Sequence, residues 1–368
     1  MKRELNVAVV GCGMISKAKH IPAFRRIGRR VRIAAVCDQN EKLATDTAKQ
    51  FRVPTSYTNL SRLLSKESID IVDLCVPPQV HGSLAIEALD HGCSVIMEKP
   101  MALRSEECDE IIRRSEVTGK SVCVVHNDLF HPPMIRAREA VARKELGDVV
   151  GMRILLSTPR EEMLDLESHW YHRLPGGMLG ETGPHLAYMT AAFINNVRHA
   201  TIVAKNIAGL PWAPFDDFRI ELEGENGNCS ATVMYARNNR AAVIEIFGTD
   251  AMLRVDLERM SLVRDDLRTL HYSEIGGSSL RIVGETILQL SANAAAVALH
   301  RARIGTDLII KRFVESVQNG TLPPVSAQEG RETVRIMEMI VKELREKYPD
   351  AYNVIPKKPP KESGALEP

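Results

Sequence analysis

The sequence predicts an α/β domain joined to an α+β domain: a doubly wound parallel sheet over residues 1–125, then a large, mostly antiparallel sheet with helices on one face over 126–355. Two patterns predict this. Up to Val125 short β-branched runs alternate with helical segments, and beyond Asn127 strands follow one another with polar and apolar residues alternating. Size agrees, since 368 residues of which 44% are hydrophobic hold enough apolar material for two cores.

In the first half the runs at 7–10, 31–36, 69–76, 94–97 and 121–125 are apolar on both sides of the pleat, as strands covered by crossover helices must be. In the second half Phe218, Ile220 and Leu222 alternate with Arg219, Glu221 and Glu223, so one face is wet and the other buried. Asn226-Gly227 signals a two-residue hairpin into a strand at 230–235, and Leu253, Val255 and Leu257 repeat the alternation. Helices are expected near 184–195, 282–301, 304–319 and 326–346. A sheet with one helix-covered face needs a cover for the other, and a second subunit is the commonest one, so a homodimer or homotetramer through the C-terminal sheet is expected. The tail at 356–368, with Lys357, Lys358 and Lys361 among four prolines, has little apolar surface to bury and is expected to be disordered.

Charge and composition narrow the partners. Lys+Arg (48) nearly balance Asp+Glu (47), which gives no basic surplus for nucleic acid, and no run of about 18 apolar residues suits a membrane. The N-terminus enters a strand pattern directly, without the apolar segment of a secretion signal, so a cytoplasmic location is expected. Seven cysteines are scattered with no Cys-x-x-Cys pair and read as buried thiols.

Gly11-Cys12-Gly13-Met14-Ile15-Ser16 follows the first strand and opens a helix, the setting in which backbone N–H groups and a helix N-terminus meet a pyrophosphate. Gly11, Gly13, Met14 and Ile15 are therefore candidate cofactor contacts. Asp38 ends the second strand, where a carboxylate accepts ribose hydroxyls and repels a 2′-phosphate, so NAD(H) is expected over NADP(H).

Glu98-Lys99-Pro100 stands at the carboxyl end of a parallel strand, facing the crevice in which such sheets bind ligands. Here the chain resembles the Gfo/Idh/MocA family of NAD(P)-dependent oxidoreductases, whose Rossmann domain carries a Glu-Lys-Pro motif at this point. The resemblance continues through Val76-Pro77-Pro78-Gln79-Val80-His81, similar to the family's loop beside the nicotinamide, and through Phe130-His131-Pro132. It implies cofactor contacts at Pro77, His81, Glu98 and Lys99. Pro175 to His185 resembles the family's Gly-Gly-Gly-x-x-x-Asp-x-Gly-x-His, with Pro175 for the first glycine and Glu181 for the aspartate. Leu129 stands where many members have arginine. Trp170 and His172 would line a sugar pocket by the same resemblance, beside Glu181, His185 and Lys99. His20 and His126 stand outside these motifs and are equally readable as loop or cap histidines. His169 and His172 lack a carboxylate or third histidine at ligand spacing, so no metal is expected.

Moving a hydride off a carbinol carbon requires the hydroxyl proton to leave, so a base must lie within hydrogen-bond reach. Lys99 and His185 are the candidates and are assigned jointly as the catalytic pair. A free lysine titrates near 10.4 and needs a shift of roughly 3 units to serve at neutral pH, whereas histidine needs none. Glu181 lies one helical turn before His185, able to orient the imidazole or to bind a substrate hydroxyl. The leading expectation is a dehydrogenase acting on a sugar, cyclitol or nucleotide sugar. An NAD-dependent glycoside hydrolase working by transient oxidation and a non-catalytic NAD-binding regulator are the alternatives.

Overall fold

The computed structural model describes residues 3–163, 167, 170–299 and 304–352. The expected tail at 356–368 lies outside them.

Six strands form the first sheet: β1 (Leu5–Val10), β2 (Val31–Cys37), β3 (Thr55–Tyr57), β4 (Ile71–Leu74), β5 (Ser94–Met97) and β6 (Val122–Val124). They run parallel in the order β3-β2-β1-β4-β5-β6. The order reverses between β1 and β4, so the crevice beyond their carboxyl ends is where ligands of such sheets sit. Every residue of β4 and β5 is buried. The connecting helices are α1 (Ile21–Ile27), α2 (Glu41–Gln50), α3 (Leu60–Lys66), α4 (His81–Asp90) and α5 (Ser105–Thr118).

After α6 (Pro132–Ala142) comes a seven-stranded sheet of β7 (Val149–Pro159), β8 (His199–Lys205), β9 (Asp217–Gly224), β10 (Gly227–Arg237), β11 (Ala241–Gly248), β12 (Met252–Asp256) and β13 (Ser261–Asp265). Its order is β13-β12-β11-β7-β10-β9-β8, antiparallel except where β10 runs parallel to β7. Phe218, Ile220 and Leu222 are buried and Arg219, Glu221 and Glu223 exposed, as the alternation requires. The hairpin turn falls one residue earlier than Asn226-Gly227 suggests. Gly224 pairs with Gly227, which leaves Glu225 and Asn226 as the loop and makes Gly227 the first residue of β10.

The remaining helices are α7 (Arg160–Met163), α8 (Leu179–Ala191), α9 (Tyr272–Ala298), α10 (Gly305–Asn319) and α11 (Ala327–Lys347). Two start earlier than expected. α8, expected from 184, begins five residues earlier at Leu179 and runs through Pro184, an interior proline with no N–H to offer the Gly180 carbonyl one turn back. α9, expected from 282, begins ten residues earlier at Tyr272 and runs through Gly276 and Gly277. The C-terminal helices return to the first domain: α10 packs on α1, and α11 on α5, β6 and α8. Gly183 allows the last contact, since a Cβ there would fall 2.5 Å from the methyl carbon of Met337. All seven cysteines are free and buried. Among the described residues no helix is long and apolar enough to cross a membrane.

Candidate active site

The turn after β1 is shaped by Gly11. Its φ is +93°, and a Cβ would lie 2.3 Å from the Cys75 carbonyl, so only glycine lets the chain pass over the end of β4. A helix opens at Met14 and continues into α1. Gly13 and Met14 are exposed on the turn, Ile15 is half-buried, and buried Ser16 donates to the Gly13 carbonyl at 2.9 Å. Asp38 stands beside the turn, its two oxygens accepting the Cys12 and Asn40 N–H groups at 2.8 Å each. A glycine-shaped turn, a helix N-terminus and a fixed carboxylate in this order fit a dinucleotide. Pro77 is exposed at the end of β4, on the same side of the sheet.

Lys99 follows β5 and is turned inward, its side chain only 8% exposed. Its amine forms an ion pair with the Glu181 carboxylate and donates to the Glu181 carbonyl at 3.0 Å, which ties the first domain to the first turn of α8. Glu98 is spent on the protein itself. One oxygen lies 2.9 Å from His20 Nε2 and the other accepts the Lys99 backbone N–H at 3.2 Å. His20 is fully buried, with Nδ1 2.9 and 3.1 Å from the Asp73 oxygens. Burial alone would push His20 down, but the Asp73 carboxylate overrides it and holds the imidazole well above its ordinary value. Burial would likewise raise Glu98, and His20 instead brings it to about 2. A buried cation between two carboxylates thus links the glycine-turn helix to the ends of β4 and β5. Cys75 donates from Sγ to Asp73 at 3.5 Å. His20, Asp73 and Cys75 offer donor atoms within 4.8 Å of one another, but those atoms already serve these hydrogen bonds.

His185 sits one turn beyond Glu181 on α8. Its Nδ1 lies 2.7 Å from Asp128 Oδ2 and 2.6 Å from the Tyr188 hydroxyl, whose oxygen also accepts the Asp128 N–H at 3.4 Å. The expectation that Glu181 might orient this imidazole does not match the geometry: Glu181 pairs with Lys99, and Asp128 holds His185. Burial would raise Asp128, and His185 keeps it well below the usual carboxylate range. His126 stacks on Tyr188 with ring centroids 4.4 Å apart, and burial, reinforced by His185, lowers it to about 3. In the neutral tautomer whose Nδ1–H is directed at Asp128, Nε2 carries the lone pair.

His81 departs from its expected role as a cofactor contact. It is fully buried, its ring nitrogens 2.9 Å from the Pro100 and Val76 carbonyls, so it braces the loops after β4 and β5 from beneath. Trp170 and His172 flank buried Tyr171, with centroids 6.2 and 4.7 Å from its ring. Burial, and after it the Glu181 charge, push the Tyr171 hydroxyl up to about 12. His169 lies outside the described residues. Sequence reasoning missed Asp128, Tyr188 and Asp73. Only Asp73 left a signal, a charge inside the apolar run Ile71-Val72-Asp73-Leu74.

Two family models match the chain. Residues 5–126 match the model of an oxidoreductase family with an NAD-binding Rossmann fold, and residues 134–254 match the GFO/IDH/MocA C-terminal domain. The uncharacterized protein YMR315W of Saccharomyces cerevisiae is 22% identical over 69% of this chain and 74% of its own length. A D-xylose 1-dehydrogenase (NADP(+)) of Haloferax volcanii is 30% identical over 39% of this chain and 43% of its own. Among solved structures, the WlbA dehydrogenase of Bordetella pertussis, in complex with NADH and UDP-GlcNAcA, superposes with a TM-score of 0.74 at 18% identity, covering 94% of this chain and 98% of that one. Myo-inositol 2-dehydrogenase of Lactobacillus plantarum gives the same TM-score, identity and coverage.

Proposed function

Because the chain belongs to the Gfo/Idh/MocA family of oxidoreductases, with an NAD-binding Rossmann domain, we propose that it moves a hydride between NAD(H) and a secondary hydroxyl or ketone of a sugar, cyclitol or nucleotide sugar. The carrying observation is the Asp128–His185 contact at 2.7 Å, set one helical turn from the amine of Lys99 on Glu181. In this reading His185 Nε2 takes the hydroxyl proton in the oxidative direction, and Asp128 stabilises the imidazolium that results. Lys99 donates to the reacting oxygen, and Glu181 fixes that amine and faces a neighbouring hydroxyl. Gly11, Gly13, Met14, Ile15, Asp38 and Pro77 hold the dinucleotide, while Glu98 fixes the backbone of Lys99. When bound, NAD supplies the hydride acceptor.

A polyhydroxylated substrate is supported by the density of donors and acceptors around α8, and by the sugar and cyclitol dehydrogenases among the relatives. Trp170 and His172 belong to its pocket in this reading. Residues 1–125 form the cofactor domain and 126–355 the substrate domain, in a cytoplasmic homo-oligomer that covers the outer face of the C-terminal sheet. The test is NADH formation across a panel of sugars, inositols and UDP-sugars with added NAD. Turnover with a polyol supports the proposal. Release of aglycone from an aryl glycoside without net NADH would replace it with the hydrolase, and NAD binding without turnover on any member would replace it with a regulator.

A further inference from the structure

The 27-residue α9 has no buried residue. One side of it is engaged. Gln289 closes the free edge of β13, accepting the Leu262 N–H at 2.8 Å and donating to the Leu262 carbonyl at 2.7 Å. Asn293 donates to the Arg259 and Met260 carbonyls at 3.0 Å, and Arg281 pairs with Asp266.

The other side is an apolar seam. Leu280, Val283, Ile287, Leu290, Ala294 and Val297 step by three and four in alternation, the spacing at which two helices interlock side by side. Its five larger members are between 40% and 76% exposed, and Leu288 beside them is 71% exposed. At a rise of about 1.5 Å per residue the seam runs roughly 25 Å. A lone exposed leucine is ordinary on a protein surface; a continuous seam in helical register is not.

We infer that this seam of α9 is a homotypic interface, on which α9 of a second copy of this chain packs. Charge singles out that occupant. The positions flanking the seam, which select partners by charge when two helices interlock, are Gly277, Ser279, Gly284, Thr286, Ser291, Ala298 and Asn293, the last already bonded to the Arg259 and Met260 carbonyls. None carries a charge that would call for a complementary foreign partner, and none repels its own image. Glycine adds a second argument. Gly276, Gly277 and Gly284 weaken an exposed helix, yet a Cβ at each would meet nothing within 4 Å, so alanine would fit the single chain. Glycine there admits the backbone of another helix. A bilayer is disfavoured, because α9 carries Glu274, Arg281 and Glu285 in place of the basic rows that bind lipid headgroups.

The test is the mass of the full chain by light scattering at micromolar concentration, with Leu280→Glu/Ile287→Glu as the variant. Both side chains are exposed, so the fold and NAD binding should be kept while the mass falls twofold. A second variant, Ile287→Cys, places a thiol near the middle of the seam, where it meets its mate in either helix orientation. All seven native cysteines are buried, so oxidation should give a disulfide-linked dimer from Ile287→Cys and none from Val117→Cys, an exposed control on α5. The inference is overturned by a monomeric native chain, by an unchanged mass in the double variant, by equal cross-linking of the control, or by binding of α9 to vesicles of anionic phospholipid. An oligomer held only through the C-terminal sheet would keep its mass in the variant, so the two modes are told apart.

Discussion

Replacing Asp128 by asparagine removes a charge and keeps the shape. In the native protein the carboxylate lies 2.7 Å from His185 Nδ1, and the two side chains are 16% and 22% exposed. When His185 accepts a proton, two opposite unit charges about 4 Å apart, centre to centre, attract by about 4 kcal/mol at an effective dielectric near 20. Part of that is opposed by the partial burial of the pair. A charge-assisted hydrogen bond contributes about 1.5–3 kcal/mol from mutational series, so a loss of about 2–4 kcal/mol in the transition state brackets the effect. That is roughly 30- to 1000-fold in kcat at about 1.4 kcal/mol per decade. The assay is steady-state NADH formation with the best substrate from the polyol panel, alongside NAD affinity by fluorescence titration. NAD affinity should stay within about twofold, because Asp128 touches the imidazole and not the glycine turn. KM should move much less than kcat, and Asp128→Glu should restore part of the rate. A kcat within about threefold of native in Asp128→Asn would refute the assignment of His185 as base and leave Lys99 to take the proton.

Lys99→Ala should bind NAD almost normally while turnover falls by about 10² or more, the usual scale for a lost acid/base group; a near-native rate would remove Lys99 from the mechanism. Asp38→Ala should weaken NAD and narrow its advantage over NADP, and a native protein that already prefers NADP in titration would overturn the cofactor preference. Acid stability should carry the mark of His126. Its folded value of about 3 lies below the unfolded 6.5, so the unfolded chain binds the proton first, and stability falls as pH drops from 6.5 towards 3. Between pH 6.5 and 5 this amounts to about 2 kcal/mol in denaturant melts, and His126→Phe, which keeps the stack on Tyr188, should flatten the slope. Glu98 acts in the same sense, with stability lost below its unfolded 4.5 towards about 2.

The elements with strong periodicity were legible because burial imposes it. The apolar runs of β1, β4 and β5 and the alternation of β9 each report how many of their faces are covered, and that fixes the sheet type before any register is known. Lys99 and the glycine turn were legible for a related reason: their chemistry depends on a strand end and a turn, which local sequence specifies. The partner of His185 depends on tertiary placement. Asp128 lies 57 residues away, in the connection after β6, and nothing around Asn127-Asp128 separates a carboxylate aimed into the site from one in solvent. The same blindness made Glu181 look like the orienting group. Spacing of four on a helix brings two side chains onto one face but does not say which competitor each will meet, and the Lys99 amine claims Glu181 first. His81 failed in the opposite direction. A loop position beside the crevice suggested a ligand contact, but the carbonyls of Val76 and Pro100 occupy its ring nitrogens. Asp73 shows what can be recovered without a structure: an ionisable residue in the middle of a strand buried on both faces must have a buried partner, and the search for that partner leads to His20 and then to Glu98.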